Sequence, residues 1–136
     1  GLAFAASLAV AAVLTAPNLR PPPAEPTLNA LVAAEDRTLV IEAALFAEAG
    51  ELRIARTAGA APPGRVLELW VIADGATAPV SLGVLPDAAE ATLDLPADRA
   101  ALLRGGILAV SDEPPGGSPT GAPTGTVLAT GVVTDA

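Results

Sequence analysis

Apolar and polar residues alternate along most of the chain after residue 27, with the period of two that is typical of strands with one buried face. In residues 38–47, TLVIEAALFA, every second position is apolar, and in residues 51–56, ELRIAR, two apolar residues alternate with charged ones. Turn signals such as PPG, DG, PD and GG separate the runs. The pattern predicts strands at residues 27–33, 38–47, 51–56, 66–72, 80–85, 91–95, 107–111 and 126–133.

Residues 96–106, PADRAALLRGG, break the alternation. A proline at the start, good helix formers and a double glycine at the end predict a short helix there. Eight short strands and one helix favour an all-β fold, an antiparallel β-sandwich at residues 27–136.

The chain opens with sixteen residues that carry no charge, GLAFAASLAVAAVLTA. We interpret residues 1–16 as part of a transmembrane helix; a signal peptide and an alanine-rich helix packed in the core of the fold are the alternatives. Residues 17–26 contain five prolines and predict a stiff linker between this segment and the strands.

Composition excludes several kinds of chemistry. The chain has no His and no Cys, and all seven of its basic residues are arginines. Thiol nucleophiles, disulfides, His-based acid–base catalysis and a P-loop are therefore excluded, and we expect no cofactor, no metal and no enzyme activity. A net charge of −8 excludes binding of nucleic acid through a basic surface.

Two pairs of adjacent acidic residues are the remaining candidates for chemistry, Glu35 with Asp36 and Asp112 with Glu113. Neighbours on a strand point to opposite faces, so neither pair places two carboxylates together. The prediction for both pairs is a solvated surface.

Residues 111–125, SDEPPGGSPTGAPTG, form a much longer connection than a hairpin needs. One interpretation is a shaped crossover that covers an open sheet edge, in which Gly116 and Gly117 adopt positive φ. The other is a pre-organised recognition surface. Trp70 has the same two interpretations, a packing residue whose indole N–H finds an acceptor or an interaction hot spot.

Three segments occur in order: GRVLELWVI, APVSLGVL and LAVSDEPPGGSPTGAPTGTVLATG. Together they resemble the extracytoplasmic C-terminal domain of RskA-type anti-sigma-K factors, from about residue 27 to the end. Thr126 and Asp112 depart from the family pattern, which more often has Pro and an apolar residue or Thr there. The residues that carry the resemblance and are candidates for a structural or interaction role are Trp70, Glu113, Pro114, Gly116, Gly117, Ser118, Pro119, Thr124 and Gly125; Glu68, Leu69, Ser81, Leu82, Gly83 and Pro123 complete the motifs.

The resemblance implies the extracytoplasmic sensory or regulatory domain of a single-pass membrane anti-sigma factor, in the bacterial inner membrane, with residues 17–136 on the periplasmic side. It also implies negative regulation of an extracytoplasmic-function sigma factor through an N-terminal region outside this chain, release by regulated proteolysis, and a protease or periplasmic partner. The alternative is a secreted or periplasmic β-sandwich that acts as a binding module.

Overall fold

The structure of the chain, a computed structural model, describes residues 22–136. Its elements, in chain order, are strands β1 (Leu28–Ala33), β2 (Val40–Phe46), β3 (Glu51–Ala58), β4 (Val66–Ile72), β5 (Val80–Leu85) and β6 (Glu90–Asp94), helix α1 (Ala97–Ala100), and strands β7 (Ile107–Glu113) and β8 (Val127–Asp135).

All eight strands belong to one antiparallel sheet in the order β5-β4-β7-β8-β1-β2-β3-β6. Because β8 pairs with β1, the last strand of the chain joins the first. The two strands at the ends of the order, β5 and β6, contact each other, so the sheet rolls into a nearly closed barrel or sandwich.

The inside of this barrel is filled by aliphatic side chains. Val32, Ile41, Leu69 and Val110, from four different strands, have no exposed surface. The whole core cluster consists of Ala, Val, Leu and Ile, as the scarcity of aromatic residues requires. The apolar faces that alternation predicts are therefore the faces that the barrel buries.

The eight predicted strands and the single short helix are confirmed. Strand β3 runs two residues further than predicted, and β7 extends to Glu113. The helix is shorter than the predicted residues 96–106 and ends at Ala100. After Ala100 the backbone hydrogen bonds join residues three apart, as in turns, for example from the Leu103 N–H to the Ala100 carbonyl. Gly105, with φ of 74°, then ends the turns.

The predicted transmembrane segment, residues 1–16, lies outside the described residues, as does the first half of the predicted linker, residues 17–21. Within residues 22–136, no helix has the length and apolar character needed to cross a membrane. Residues 22–26, the described part of the linker, form neither helix nor strand.

Candidate functional site

Strands β4 and β7 are buried on both faces. Leu67, Leu69 and Val71 of β4 face the barrel core, so the residues between them face outward, yet Glu68 is only 4% exposed and Trp70 is fully buried. The same alternation holds on β7. We call the four buried, outward-facing residues of these strands that make hydrogen bonds the outer cluster: Glu68, Trp70, Ser111 and Glu113.

Hydrogen bonds join three members of the outer cluster in a chain. The indole N–H of Trp70 donates to Ser111 Oγ at 2.8 Å, and Ser111 Oγ donates to Glu113 Oε1 at 2.8 Å. The strand register makes this geometry possible, because Trp70 lies opposite Ala109 across the β4–β7 pair, and Ser111 and Glu113 follow Ala109 at steps of two residues on the same face.

The connection between β7 and β8, residues 114–126 and here the β7–β8 loop, folds back onto Glu113. The backbone N–H of Thr124 donates to Glu113 Oε1 at 2.8 Å, and that of Gly125 donates to the same oxygen at 3.4 Å. The hydroxyl of Thr124 donates to Glu113 Oε2. With the bond from Ser111, four donors surround one buried carboxylate.

Glu68 binds the middle of the same loop. Its Oε1 accepts the backbone N–H of Ser118 at 2.7 Å, and its Oε2 accepts the hydroxyl of Ser81 on β5 at 2.9 Å. The β7–β8 loop thus reaches across the outward face of β4, and two glutamates from different strands hold it.

The charge of Glu113 is favoured by its surroundings. Burial raises the pKa of a carboxyl group, but the hydrogen bonds donated by Thr124, Ser111 and Gly125 outweigh it, and the pKa of Glu113 lies below the ordinary value. Glu113 is therefore an ionised acceptor for the loop at neutral pH.

Two similar turns lie side by side at this end of the sheet. Arg65 N–H donates to the Pro62 carbonyl at 3.0 Å, and Gly117 N–H donates to the Pro114 carbonyl at 2.9 Å. The centre of each turn is a proline followed by a glycine, Pro63–Gly64 and Pro115–Gly116. Gly64 and Gly116 both have positive φ, as a type II turn requires. The turns are adjacent because Val66, which follows the first, pairs with Glu113, which precedes the second.

The glycines of the loop allow the backbone to approach the cluster closely. A Cβ on Gly117, whose φ is 97°, would lie 2.5 Å from Glu68 Oε1 and 2.8 Å from Val84 Cγ2. A Cβ on Gly125 would overlap the Asp112 carbonyl oxygen. Gly116 also has positive φ, at 92°, but a Cβ there would meet nothing within 4 Å.

An ion pair supports the root of the loop. Arg65 Nη2 lies 2.8 Å from Asp112 Oδ1, and Arg65 Nε donates to the same oxygen at 2.9 Å. Arg65 Nη2 also donates to the Asp112 carbonyl at 3.2 Å. Asp112 N–H in turn donates to the Thr126 carbonyl, which joins the two ends of the loop.

The structure brings most of the candidate residues together. Trp70, Glu113, Gly117, Ser118, Thr124 and Gly125 contact or belong to the outer cluster, and Pro114 forms the turn that precedes Gly117. Pro119 and Gly116 are exposed, and Gly116 is a central residue of the turn that begins at Pro114.

Two expectations are corrected. Glu113 is fully buried rather than solvated, because the β7–β8 loop covers it, whereas Glu35 and Asp36 are exposed as predicted. The loop covers an outward sheet face rather than an open edge, because its Ser118 amide reaches Glu68 on β4, which has a strand on each side.

The roles of Glu68, Ser81 and Ser111 in binding the loop were not predicted. The available signal was a polar residue at alternate positions of an apolar strand: Glu68 precedes Trp70 by two residues, and Ser111 precedes Glu113 by two.

The outer cluster is a satisfied network. In residues 22–136, no buried side-chain nitrogen or oxygen lacks a hydrogen-bond partner, and no group of three or more acidic residues is arranged to hold a metal ion. The carboxylates of Glu68 and Glu113 accept hydrogen bonds from a long glycine- and proline-rich loop and so fix it to the barrel.

The fold and this loop define the described residues as an all-β barrel domain with a long loop fixed to its outer face. Residues 1–127 match the family described as anti-sigma-K factor RskA, C-terminal. The chain therefore belongs to this family, the predicted resemblance is confirmed, and the family connects the chain with regulation of sigma factors. No curated protein and no solved structure matches the chain.

Proposed function

We propose that residues 17–136 are the extracytoplasmic regulatory domain of a single-pass membrane anti-sigma factor, anchored in the bacterial inner membrane by residues 1–16. The observation that carries the proposal is the extent of the family match, which begins at residue 1 and so includes the uncharged apolar segment together with strands β1 to β7. An apolar segment, a proline-rich linker and a folded domain, in this order, fit a chain that leaves a membrane and then folds.

In this proposal the domain is not an enzyme. It acts on the sigma factor indirectly: a region outside this chain binds the sigma factor, and regulated proteolysis of the anchored protein releases it. The folded barrel controls access of the protease or of a periplasmic partner. The described residues support this passive role with a core and an outer cluster whose buried polar groups all have partners.

Fusions at the C-terminus test the location. Alkaline phosphatase is active only outside the cytoplasm, and green fluorescent protein exported in the unfolded state is dark, so each is fused after Ala136 of the membrane protein. We expect an active phosphatase in the membrane fraction. A fluorescent fusion would contradict the proposal, and an active phosphatase in the soluble fraction would favour the secreted binding module.

A promoter that depends on the controlled sigma factor tests the regulation. We expect deletion of residues 27–136 to change its activity severalfold and to change the fragments seen by immunoblotting against the cytoplasmic region. The matched controls are Leu69→Ala, which disturbs the buried core, and Arg104→Ala, which removes an exposed ion pair with Asp135. Unchanged promoter activity after the deletion would contradict the proposed role.

A further inference from the structure

The β7–β8 loop is attached to the barrel without being part of its core. The core cluster contains no residue of the loop, and the loop sequence, PPGGSPTGAPTGT, contains no Val, Leu, Ile or aromatic residue. The loop therefore forms no part of the hydrophobic core, and its separation from the barrel would leave that core buried.

The loop is held at its middle and at its C-terminal end. The C-terminal attachment, from Thr124 and Gly125 to Glu113, lies next to the point where the loop rejoins the sheet. The attachment at the middle is the Ser118 amide on Glu68, which is fifty residues away in the sequence. Glu68 is thus the contact that fixes the loop at a point away from its C-terminal attachment.

Closing the loop buries two carboxylates, and hydrogen bonds must offset the desolvation cost of each. Among the described residues, the ion pairs use Glu51, Asp87, Asp112 and Asp135, so Glu68 and Glu113 are buried without a paired cation. A buried carboxylate without a cation is stabilised only by its hydrogen bonds, and water would solvate both groups in an open state. Regions with few apolar contacts are those that open locally while the rest of a domain stays folded.

We propose that the β7–β8 loop opens as one unit on the folded barrel and that the Glu68 carboxylate is the latch that holds it closed. This inference does not depend on the compartment or on the sigma factor, so its failure would leave the proposed function intact. The open form exposes the outer cluster, including the Ser111 hydroxyl that accepts the indole N–H of Trp70.

Hydrogen exchange of single amides in the 136-residue chain, followed by NMR, tests the proposal. We expect the amides of Ser118 and Thr124 to share one protection factor, at least about tenfold below those of Leu69 and Val110 in the barrel strands. Equal protection of loop and strands would overturn the proposal, because the loop would then open only when the barrel unfolds.

Glu68→Gln tests the latch. The amide side chain keeps the shape and an acceptor oxygen but loses the charge, and a hydrogen bond to a neutral acceptor is about half as strong. We expect the protection of Ser118 and Thr124 to fall together, by about tenfold, with no change at Leu69. The matched control is Glu42→Gln, which changes an exposed glutamate of β2 and should alter none of these amides.

A fall at Ser118 alone would show that the loop does not move as a unit, and no fall at either amide would show that Glu68 is not the latch. If Glu68→Gln does not fold, Gly117→Ala separates the same contact, because its Cβ would lie 2.5 Å from Glu68 Oε1. Gly116→Ala, whose Cβ would meet nothing within 4 Å, is its control.

Discussion

Strands β4 and β7 have one face in the barrel core and the other in the outer cluster. The core face is aliphatic, and its contribution comes from apolar area removed from water, to which many side chains contribute in the same way. The outer face depends on a few directed hydrogen bonds, each between a particular donor and a particular carboxylate oxygen. The same two strands are thus stabilised by the non-directional hydrophobic effect on one face and by directional hydrogen bonds on the other.

This difference has a consequence for substitution. In an aliphatic core, residues of similar volume can replace one another at modest cost. In the outer cluster a change of one atom removes an acceptor or places a Cβ against a backbone, and no neighbour can compensate.

The largest effect should come from the core. Leu69 has no exposed surface, and Leu69→Ala should lower the free energy of unfolding by about 2–5 kcal/mol, from lost burial and the cavity left behind. Chemical denaturation measures this value, and protection of the barrel amides should fall more than that of the loop amides, which exchange through local opening. A loss below about 1 kcal/mol would contradict the assignment of β4 to the centre of the core.

The next effect should come from Glu113. Glu113→Gln removes the charge that four donors stabilise and should cost about 2 kcal/mol at neutral pH. Because the pKa of Glu113 is lowered by folding, its ionised form stabilises the fold above the ordinary glutamate pKa, and this stabilisation is lost as the pH falls through the lower value of the folded state.

Chemical denaturation at a series of acidic pH values checks the direction of this pH dependence. The stability of the unmodified chain should fall as the pH falls through this range, and that of Glu113→Gln should fall less. Parallel curves for the two chains would show that Glu113 does not titrate differently in the folded state.

A smaller effect should distinguish the two adjacent glycines. Both have positive φ, so alanine at either position should cost about 1 kcal/mol. At Gly117 the new Cβ also meets Glu68 and Val84, and Gly117→Ala should be more destabilising than Gly116→Ala by at least about 1 kcal/mol. Equal melting temperatures for the two variants would contradict the close approach of the loop to β4.

The smallest effect should come from the ion pairs. Arg65 and Asp112 are partly buried, with side chains 33% and 13% exposed, and Arg65→Ala should cost about 1 kcal/mol. Arg104 and Asp135 are mostly exposed, and Arg104→Ala should be nearly neutral. If denaturation gives the reverse order, the ion pair at the root of the loop is not a significant support.

The barrel could be predicted from the sequence because each strand carries its own evidence. Alternation in residues 51–56 and the apolar face of Leu67, Leu69 and Val71 depend only on neighbours along the chain. The helix was predicted too long because local helix formers, such as Leu102 and Leu103, also suit a series of tight turns ending at glycine.

The outer cluster could be predicted only in part. The resemblance selected Glu113, Gly117, Ser118, Thr124 and Gly125 as candidates. Burial of Glu113 could not be predicted from its neighbours, since a carboxylate next to Asp112 on a strand is usually solvated and the covering residues come eleven positions later. The role of Glu68 depends on a contact fifty residues away, and alternation contains no information about it.

Hydrogen bonds from the β7–β8 loop keep a buried carboxylate, that of Glu113, ionised. Titration of the Glu113 carboxyl carbon by NMR in the folded chain tests it directly, because burial and hydrogen bonding move this pKa in opposite directions. We predict a midpoint below the ordinary value for glutamate. A midpoint above that value would mean that burial dominates and that the loop does not supply the donors, and it would contradict the account.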